Sequence, residues 1–261
     1  MDSNYVILLP NSEGKNKGGD EKLTYRFVSN LKKYNSFMKL QSSRDYIIDE
    51  IKKLIRSNSE EELSTFFELK GENLKFAIST MSALKDEECM SVIERMAGVM
   101  YNSINYSSLN QEQKKYFNDS IVILDALFGL LKPQDLIPNY KCKVSMKLFD
   151  TTLAKYWQRE LEGYFEFISK DKLVIDLLPN SHKEMISKCR EINRVEIIFA
   201  RKHKDSYKLE GHASKELKGE FVQYVVGFNS ISKEDLKKFK HSTGHKYHEK
   251  FSTEEKFIYL G

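Results

Sequence analysis

Apolar residues follow two different spacings in the two halves of the chain. Tyr5 to Leu9 is a continuous apolar run that stops at Pro10, which predicts a buried strand. The polar loop 11–19 follows it. Helical spacing predicts helices over about 42–56, 72–84 and 88–101, and Ser59-Glu60-Glu61-Glu62 reads as a capping box for one more helix.

The stretch that follows predicts a long helix with a broad buried face. Ser108-Leu109-Asn110-Gln111 is typical of a helix cap, and the pattern continues to about Gly129. Its apolar residues are Phe117, Ile121, Leu124, Leu127 and Phe128. Pro133 and Pro138 then predict an irregular path.

Strands and helices alternate in the second half. The pattern predicts helices over about 152–168, 180–189, 213–226 and 232–239, and strands over 172–178, 194–200, near Tyr207 and over 256–261. No linker or repeat divides the chain. We therefore predict a mixed α and β fold, one domain over 1–261, with a helical insertion in the first half. The first strand should join a central mixed sheet built by the second half.

Amino-acid composition indicates the kind of protein and its compartment, but it does not indicate a function. Charged residues make up 31% of the chain and the net charge is +4, too small an excess to require a polyanionic partner. Three scattered cysteines suit a reducing compartment, and no apolar run reaches the length of a membrane span. We expect a cytoplasmic protein, and no motif calls for a cofactor.

The loop "NSEGKNKGG" is the first candidate anion site. Its glycines allow the backbone to turn amides toward a ligand, Lys15 and Lys17 add charge, and Ser12 adds a hydroxyl. The order of a Walker loop is absent. A solvated surface turn fits the same pattern.

Two further segments carry lysines in a suggestive context. In "LDALFGLLKPQDLIPNYK" a glycine-containing turn, flanked by Lys132 and Lys141, is similar to a hairpin that presents amides to phosphate. Lys215 and Lys218 share one face of a predicted helix. The alternative for the first segment is a buried helix that ends at a glycine, and the alternative for the second is a solvated helix face without a ligand.

Candidates for catalysis and metal binding are few. Asp176 ends a predicted strand and Glu13 lies in the glycine loop, so either can serve in proton transfer. His241, His245 and His248 have spacings that bind zinc on a helix, but Gly244 disfavours a helix there. We expect a basic, solvated loop there and no metal site.

Several stretches, taken in order, resemble the YaaA family of bacterial peroxide stress resistance proteins. They are "LPNSEGKNKGG", "LDALFGLLKPQDLIPNYK", "KYWQREL", "LVIDLLPNSH", "ASKELKG" and "GFNS". The resemblance runs from about residue 6 to the C-terminus and is weakest over about 20–110. Family arginines stand here as Lys132, Lys141 and Lys218, which keeps the charge but loses the forked guanidinium geometry.

The resemblance implies an α/β fold with a positively charged cleft. It also implies DNA binding, a helix-hairpin-helix element, tolerance of peroxide and a limit on free intracellular iron. The glycine turn before Lys132 is the candidate for that element. On this basis Ser12, Lys15, Lys17, Lys132, Lys141, Lys215 and Lys218 are expected to bind nucleic acid.

The motifs and the resemblance are consistent with two functions. The first is a DNA-binding stress protein without a catalytic signature, structure-specific and steeply salt-dependent because phosphates supply the affinity. Tyr140 and Trp157 are candidates to stack on unpaired bases, with core packing as the alternative. The second is an enzyme acting on a nucleobase or nucleotide, with the glycine loop holding a phosphate and Glu13 or Asp176 moving a proton.

Overall fold

Short elements follow one another along the chain. The computed structural model describes residues 3–148, 150–189 and 192–261. The α-helices are α1 (Tyr25–Val28), α2 (Gln41–Ser57), α3 (Glu60–Phe67), α4 (Gly71–Ala83), α5 (Val92–Arg95), α6 (Val99–Ile104), α7 (Gln111–Ser120), α8 (Leu153–Ser169), α9 (Asn180–Lys183), α10 (Ser214–Val225) and α11 (Lys233–Lys237). The strands are β1 (Tyr5–Pro10), β2 (Gly14–Lys15), β3 (Asp20–Thr24), β4 (Glu88–Ser91), β5 (Met96–Ala97), β6 (Ile121–Asp125), β7 (Gly129–Leu131), β8 (Leu136–Ile137), β9 (Lys147–Leu148), β10 (Thr151–Thr152), β11 (Leu173–Asp176), β12 (Arg194–His203), β13 (Ser206–Leu209), β14 (Lys246–Tyr247) and β15 (Lys256–Leu260).

The main sheet has eight strands and is mostly parallel. β1 lies in its middle and pairs in parallel with β6 on one side and with β11 on the other. β12 and β15 continue the parallel part, whereas β7, β13 and β14 pair antiparallel with their neighbours. The mixed α/β fold is thus confirmed, and the first strand does join the sheet built by the second half.

Most of the predicted helices are confirmed. Ser59 and Glu62 form the capping box that opens α3. The amphipathic helices α2, α8 and α10 bury one face each, including Trp157 in α8. No helix in the described part of the chain is long and apolar enough to cross a bilayer.

The predicted helix from Asn110 to Gly129 is wrong in its second half. α7 begins after an Asn110 cap, as expected, but ends at Ser120, and the chain continues as the antiparallel hairpin β6–β7. Every residue of β6 is buried, and a strand buried on both faces has no alternation to distinguish it from a buried helix. Gly129 takes a positive φ of 73°.

This hairpin also excludes the predicted helix-hairpin-helix element at the same segment. The turn before Lys132 joins two strands instead of two helices. The buried Arg44 of α2 holds the hairpin from below, because its guanidinium donates to the carbonyl oxygens of Phe128 at 2.8 Å and Leu130 at 2.7 Å. These carbonyl oxygens form hydrogen bonds within the protein and do not face a ligand.

The predicted helix over 88–101 is also wrong. The segment splits into β4, α5, β5 and α6. β4 pairs with β3 and β8, and β5 pairs with β2 of the glycine loop. These pairings with distant segments override the local helical spacing.

Candidate functional site

A concave surface lined by polar side chains lies at the carboxyl ends of β1 and β11, above the end of β6. A cleft of about 660 Å³ opens there. The chain leaves β1 toward β6 on one side and later adds β11 on the other, so this edge is a switch point where ligands bind in open α/β sheets. The lining comes from the glycine loop, α6, the 142–145 segment, α9 and the start of α10; its polar and charged side chains are Asn11, Ser12, Glu13, Glu68, Tyr101, Cys142, Lys143, Ser145, Ser181, His182, His212 and Lys215.

The glycine loop forms one wall of the cleft and is tied down. Gly14 and Lys15 pair with Ala97 and Met96, and the Ser12 hydroxyl donates to the Ala97 carbonyl oxygen. The buried Arg95 holds the far end by donating to the Asn16 carbonyl oxygen at 2.6 Å. The loop is therefore ordered, and strand pairing already occupies some of the backbone amides that a ligand could otherwise bind.

Lys15 points inward. Its ammonium donates to the Ser12 carbonyl oxygen at 2.8 Å and lies 4.0 Å from the centre of the Tyr140 ring. Burial lowers the pKa of Lys15 to about 8, and the nearby Asp125 opposes that shift. The side chain supports the loop from beneath and is not among those that line the cleft.

A buried network lies under the cleft where β6 ends. Asp125 is fully buried and accepts the amides of Leu127 at 2.8 Å and Phe128 at 2.9 Å, together with the hydroxyl of Tyr140. Burial first, and then Asp125, hold the pKa of Tyr140 well above its usual value. Tyr140 therefore stays a hydrogen-bond donor, and its full burial excludes the predicted stacking on a base.

His182 and Asn11 bring polar atoms from this network to the cleft surface. His182 Nε2 lies 2.9 Å from Asn11 Oδ1, and its Nδ1 lies 3.2 Å from the Ser181 hydroxyl. Burial lowers the pKa of His182 to about 4, so the imidazole is neutral at pH 7. Asn11 Nδ2 is buried without a hydrogen-bond partner among the described residues.

Sequence reasoning missed His182, Asn11 and Asp125 as parts of a site. A positional signal was available, because Asn11 follows β1, Asp125 ends β6 and His182 comes shortly after β11. Polar residues directly after parallel strands converge at one edge of the sheet.

Charged side chains of both signs lie at the mouth of the cleft, two lysines and two glutamates among its lining residues, so the lining is not the positively charged one that the resemblance implies. Lys215 is exposed and lines it, and Lys141 donates to the Glu13 carbonyl oxygen at 3.1 Å. Lys143 also lines it but is paired with Glu68 at 3.0 Å. Glu13 itself is exposed on the lining, so charges of both signs face the opening.

Lys218 and Asp176 lie at the same edge, where β11 ends, but they do not line the cleft. Lys218 donates to the Leu177 carbonyl oxygen at 2.8 Å, and burial lowers its pKa to about 8. Asp176 accepts the Leu178 amide at 2.8 Å while its Oδ2 has no partner among the described residues, and burial raises its pKa. Asp176 is therefore not placed to act on a ligand in the cleft.

The structure does not bring Lys132 or Lys17 to the cleft. Lys132 lies beside the start of β6, at the opposite edge of the sheet, and donates to the Asp119 carbonyl oxygen at 2.7 Å. Burial lowers its pKa to about 8. Lys17 is exposed but lies outside the lining. Of the matched lysines, only Lys215 lines the cleft, so the expectation that all of them surround it is wrong for these two, for Lys218 and for Lys15, and Lys141 lies beside the lining residue Glu13.

Two of the three C-terminal histidines, His241 and His245, share the Thr243 hydroxyl at 2.7 Å, but their other nitrogens face different carboxylates. His241 Nε2 lies 2.7 Å from Glu220 Oε2, whereas His245 Nε2 lies 3.7 Å from Glu210 Oε1. His248 stacks on Phe251 instead. Within the described ranges, no group of three or more His, Cys, Asp or Glu side chains is arranged to hold a metal ion.

Trp157, the second aromatic predicted to stack on bases, is core. It is fully buried and its indole N–H donates to the Ala126 carbonyl oxygen at 2.8 Å. The core-packing alternative is therefore the correct one.

Comparison with known proteins identifies the family. The sequence profile of the peroxide stress protein YaaA family matches residues 6–251, and the chain belongs to that family. Among curated proteins, it is similar to a UPF0246 protein of Fusobacterium nucleatum, 23% identical over 208 residues that cover 79% of this chain and 83% of the relative. A UPF0246 protein of Francisella tularensis is 23% identical over 240 residues, covering 89% of this chain and 91% of the relative. One from Malacoplasma penetrans is 24% identical over 212 residues, covering 79% and 84%.

Proposed function

We propose that this member of the peroxide stress protein YaaA family binds DNA at the cleft and so limits the damage linked to free intracellular iron. Membership supports the role in peroxide stress. DNA as the ligand and the link to iron are the finer steps of the proposal, which the family resemblance suggests. We place the protein in the cytoplasm.

The observation that carries the proposal is a polar cleft at the switch point with cations at its mouth. Two lysines support phosphate binding there, because Lys215 lines the cleft and Lys141 lies beside the lining residue Glu13. Asn11 and His182 lie on the lining. Phosphate contacts position a nucleic acid without reading its sequence. Neutral amide and imidazole groups suit the edge of a base.

This arrangement favours distorted or unpaired DNA over a regular duplex. The polar atoms of Asn11 and His182 lie within a cleft, and a base reaches such groups only after it leaves the stack. We therefore propose structure-specific binding with little sequence preference.

Fluorescence anisotropy with duplex, single-stranded and bubble DNA at two salt concentrations tests the proposal. Lys141→Glu/Lys215→Glu should weaken binding by roughly 30-fold or more at 0.15 M salt, because each lost phosphate contact costs about 5-fold there. Lys170→Glu is the matched control, because Lys170 is exposed and precedes β11 at the opposite edge. Equal losses in the variant and the control, or no binding by the wild type at low salt, would refute the assignment.

A second candidate function is an enzyme acting on a nucleobase or nucleotide. The neutral His182, held by Asn11 in a cleft, is the observation that favours it, since such an imidazole can hydrogen-bond a reacting base, while its pKa of about 4 leaves proton transfer to a carboxylate. Glu13 is a carboxylate on the same lining, together with Glu68, which is paired with Lys143. Mass spectrometry of nucleotides and damaged oligonucleotides incubated with the protein tests this. Product that disappears with His182→Gln while DNA affinity stays would establish it; no product from any substrate would exclude it for that set.

A further inference from the structure

Beside the cleft, β12 and β13 form a hairpin that extends past the rest of the sheet. β12 last pairs with β11 at Glu196 and with β15 at Ala200, but it continues to His203. At about 3.3 Å per residue, its tip lies roughly 20 Å beyond the end of β11 along the strand direction. Because β12 is parallel to β1, the hairpin projects from the edge that carries the cleft.

Residues 201–208, the basic hairpin, concentrate the charge of the molecule. They carry four cationic side chains and one carboxylate, a net charge of +3 against +4 for the whole chain. All but Tyr207 are exposed. No salt bridge involves Lys202, Lys204 or Lys208 within the described residues.

Repulsion between two cations of the basic hairpin destabilises its folded form. Arg201 and Lys208 are directly opposite each other across the two strands, and like charges in that position are destabilising. Arg201 is compensated by the buried Glu210 at 2.6 Å, whereas Lys208 is not. A bound polyanion would remove this repulsion.

The base of the hairpin is nonetheless anchored. Tyr207 packs on Phe251, with ring centres 5.5 Å apart, and the Glu210 amide donates to the Phe199 carbonyl oxygen at 3.0 Å. The cations therefore stand on a supported two-stranded ribbon. A two-stranded β-ribbon has the dimensions of the DNA major groove.

We propose that the basic hairpin grips duplex DNA next to the site where the cleft holds an unpaired nucleotide. The inference rests on the proposed function and adds a second contact surface to it. Lys202, Lys204 and Lys208 contact backbone phosphates, so the hairpin contributes affinity and salt dependence and leaves sequence unread.

The test compares Lys202→Gln/Lys204→Gln/Lys208→Gln with the wild type on a bubble with long duplex arms. Loss of three phosphate contacts should lower affinity roughly 100-fold at 0.15 M salt and reduce the slope of log K against log salt by about 3. Binding to an oligonucleotide too short to have duplex arms should stay unchanged. Arg201 is kept, because its removal would leave Glu210 buried without its partner.

The control is Lys75→Gln/Lys115→Gln/Lys170→Gln, three exposed lysines on α4, on α7 and after α8. An equal loss in this control, or no loss in the hairpin variant, would overturn the inference while leaving cleft binding intact. Failure of the wild type to bind any DNA would overturn both proposals. In that case, hairpin-dependent binding to vesicles of anionic lipid would reassign the hairpin to a membrane surface.

Discussion

Replacement of Tyr140 by phenylalanine tests the network beneath the cleft. The change removes only the hydroxyl that donates to Asp125, a carboxyl group that is fully buried and keeps the amides of Leu127 and Phe128 as its other donors. A buried hydrogen bond to a charged group contributes about 1.5–3 kcal/mol. We expect the free energy of unfolding to fall by about 2 kcal/mol.

The assay is thermal and urea unfolding followed by circular dichroism. A loss of that size should lower Tm by roughly 4–8 °C in a chain of this length. Tyr34→Phe is the control, because the Tyr34 hydroxyl has no hydrogen-bond partner among the described residues; it should change stability by less than about 0.5 kcal/mol.

A double-mutant cycle with Asp125→Asn isolates the pair. Tyr140→Phe should cost clearly less in the Asp125→Asn background, with a coupling energy of about 1 kcal/mol or more. An unchanged Tm for Tyr140→Phe, or the same loss in both backgrounds, would show that the two side chains do not stabilise each other.

Three further predictions concern the fold, its pH dependence and its thiols. Gly129→Ala should cost about 2–4 kcal/mol in urea unfolding, because the residue has a φ of 73° and a Cβ would lie 2.6 Å from the Trp157 ring; Gly163→Ala, in open space on α8, should not destabilise. The contribution of Lys15 to stability should rise from pH 8 to 10.5, because its folded pKa, about 8, lies below the ordinary 10.5 and its charged form opposes folding only until it deprotonates. Lys15→Met should make the free energy of unfolding less pH-dependent by up to about 1.4 kcal/mol per pH unit. If the variant and the wild type had the same pH profile, Lys15 would not be buried as described. Burial raises the pKa of the Cys89 thiol to about 12, so a thiol reagent at pH 8 should label Cys89 only after unfolding. Rapid labelling of Cys89 in the native protein, located by peptide mass spectrometry and distinguished from the partly exposed Cys189, would contradict that burial.

The sequence was most informative where one face of an element meets solvent. α2, α8 and α10 alternate apolar and polar positions at helical spacing, so their existence and approximate limits were predictable. β6 has no polar face, and its apolar run was indistinguishable from the helix that precedes it. The pairing of β6 with β1 decided its structure, and that contact is between segments far apart in sequence.

The sequence predicted roughly where the candidate site lies, but it did not predict which residues line it. The glycine loop does wall the cleft, and Lys215 does line it. Lys15 and Lys132 were chosen for their charge, but the fold uses their ammonium groups to cap backbone carbonyls. Which lysines face solvent depends on side-chain direction, and a motif does not encode that direction by itself. His182 ends the matched stretch "LVIDLLPNSH", but it was not chosen, because its role depends on the contact with Asn11 that only the fold brings about.

The central position of β1 has a consequence for synthesis on the ribosome. Its strand partners come much later in the chain, since Ile7 pairs with Ile121 and Tyr5 with Leu173. At about 5–20 residues per second, the first strand waits roughly 10–30 s before both neighbours have been made. During that interval Tyr5 to Leu9 is an exposed apolar segment with two unpaired edges, a substrate for chaperones and a site for aggregation. The nascent chain is thus vulnerable at β1 during this interval, and slower translation should lower the yield of folded protein.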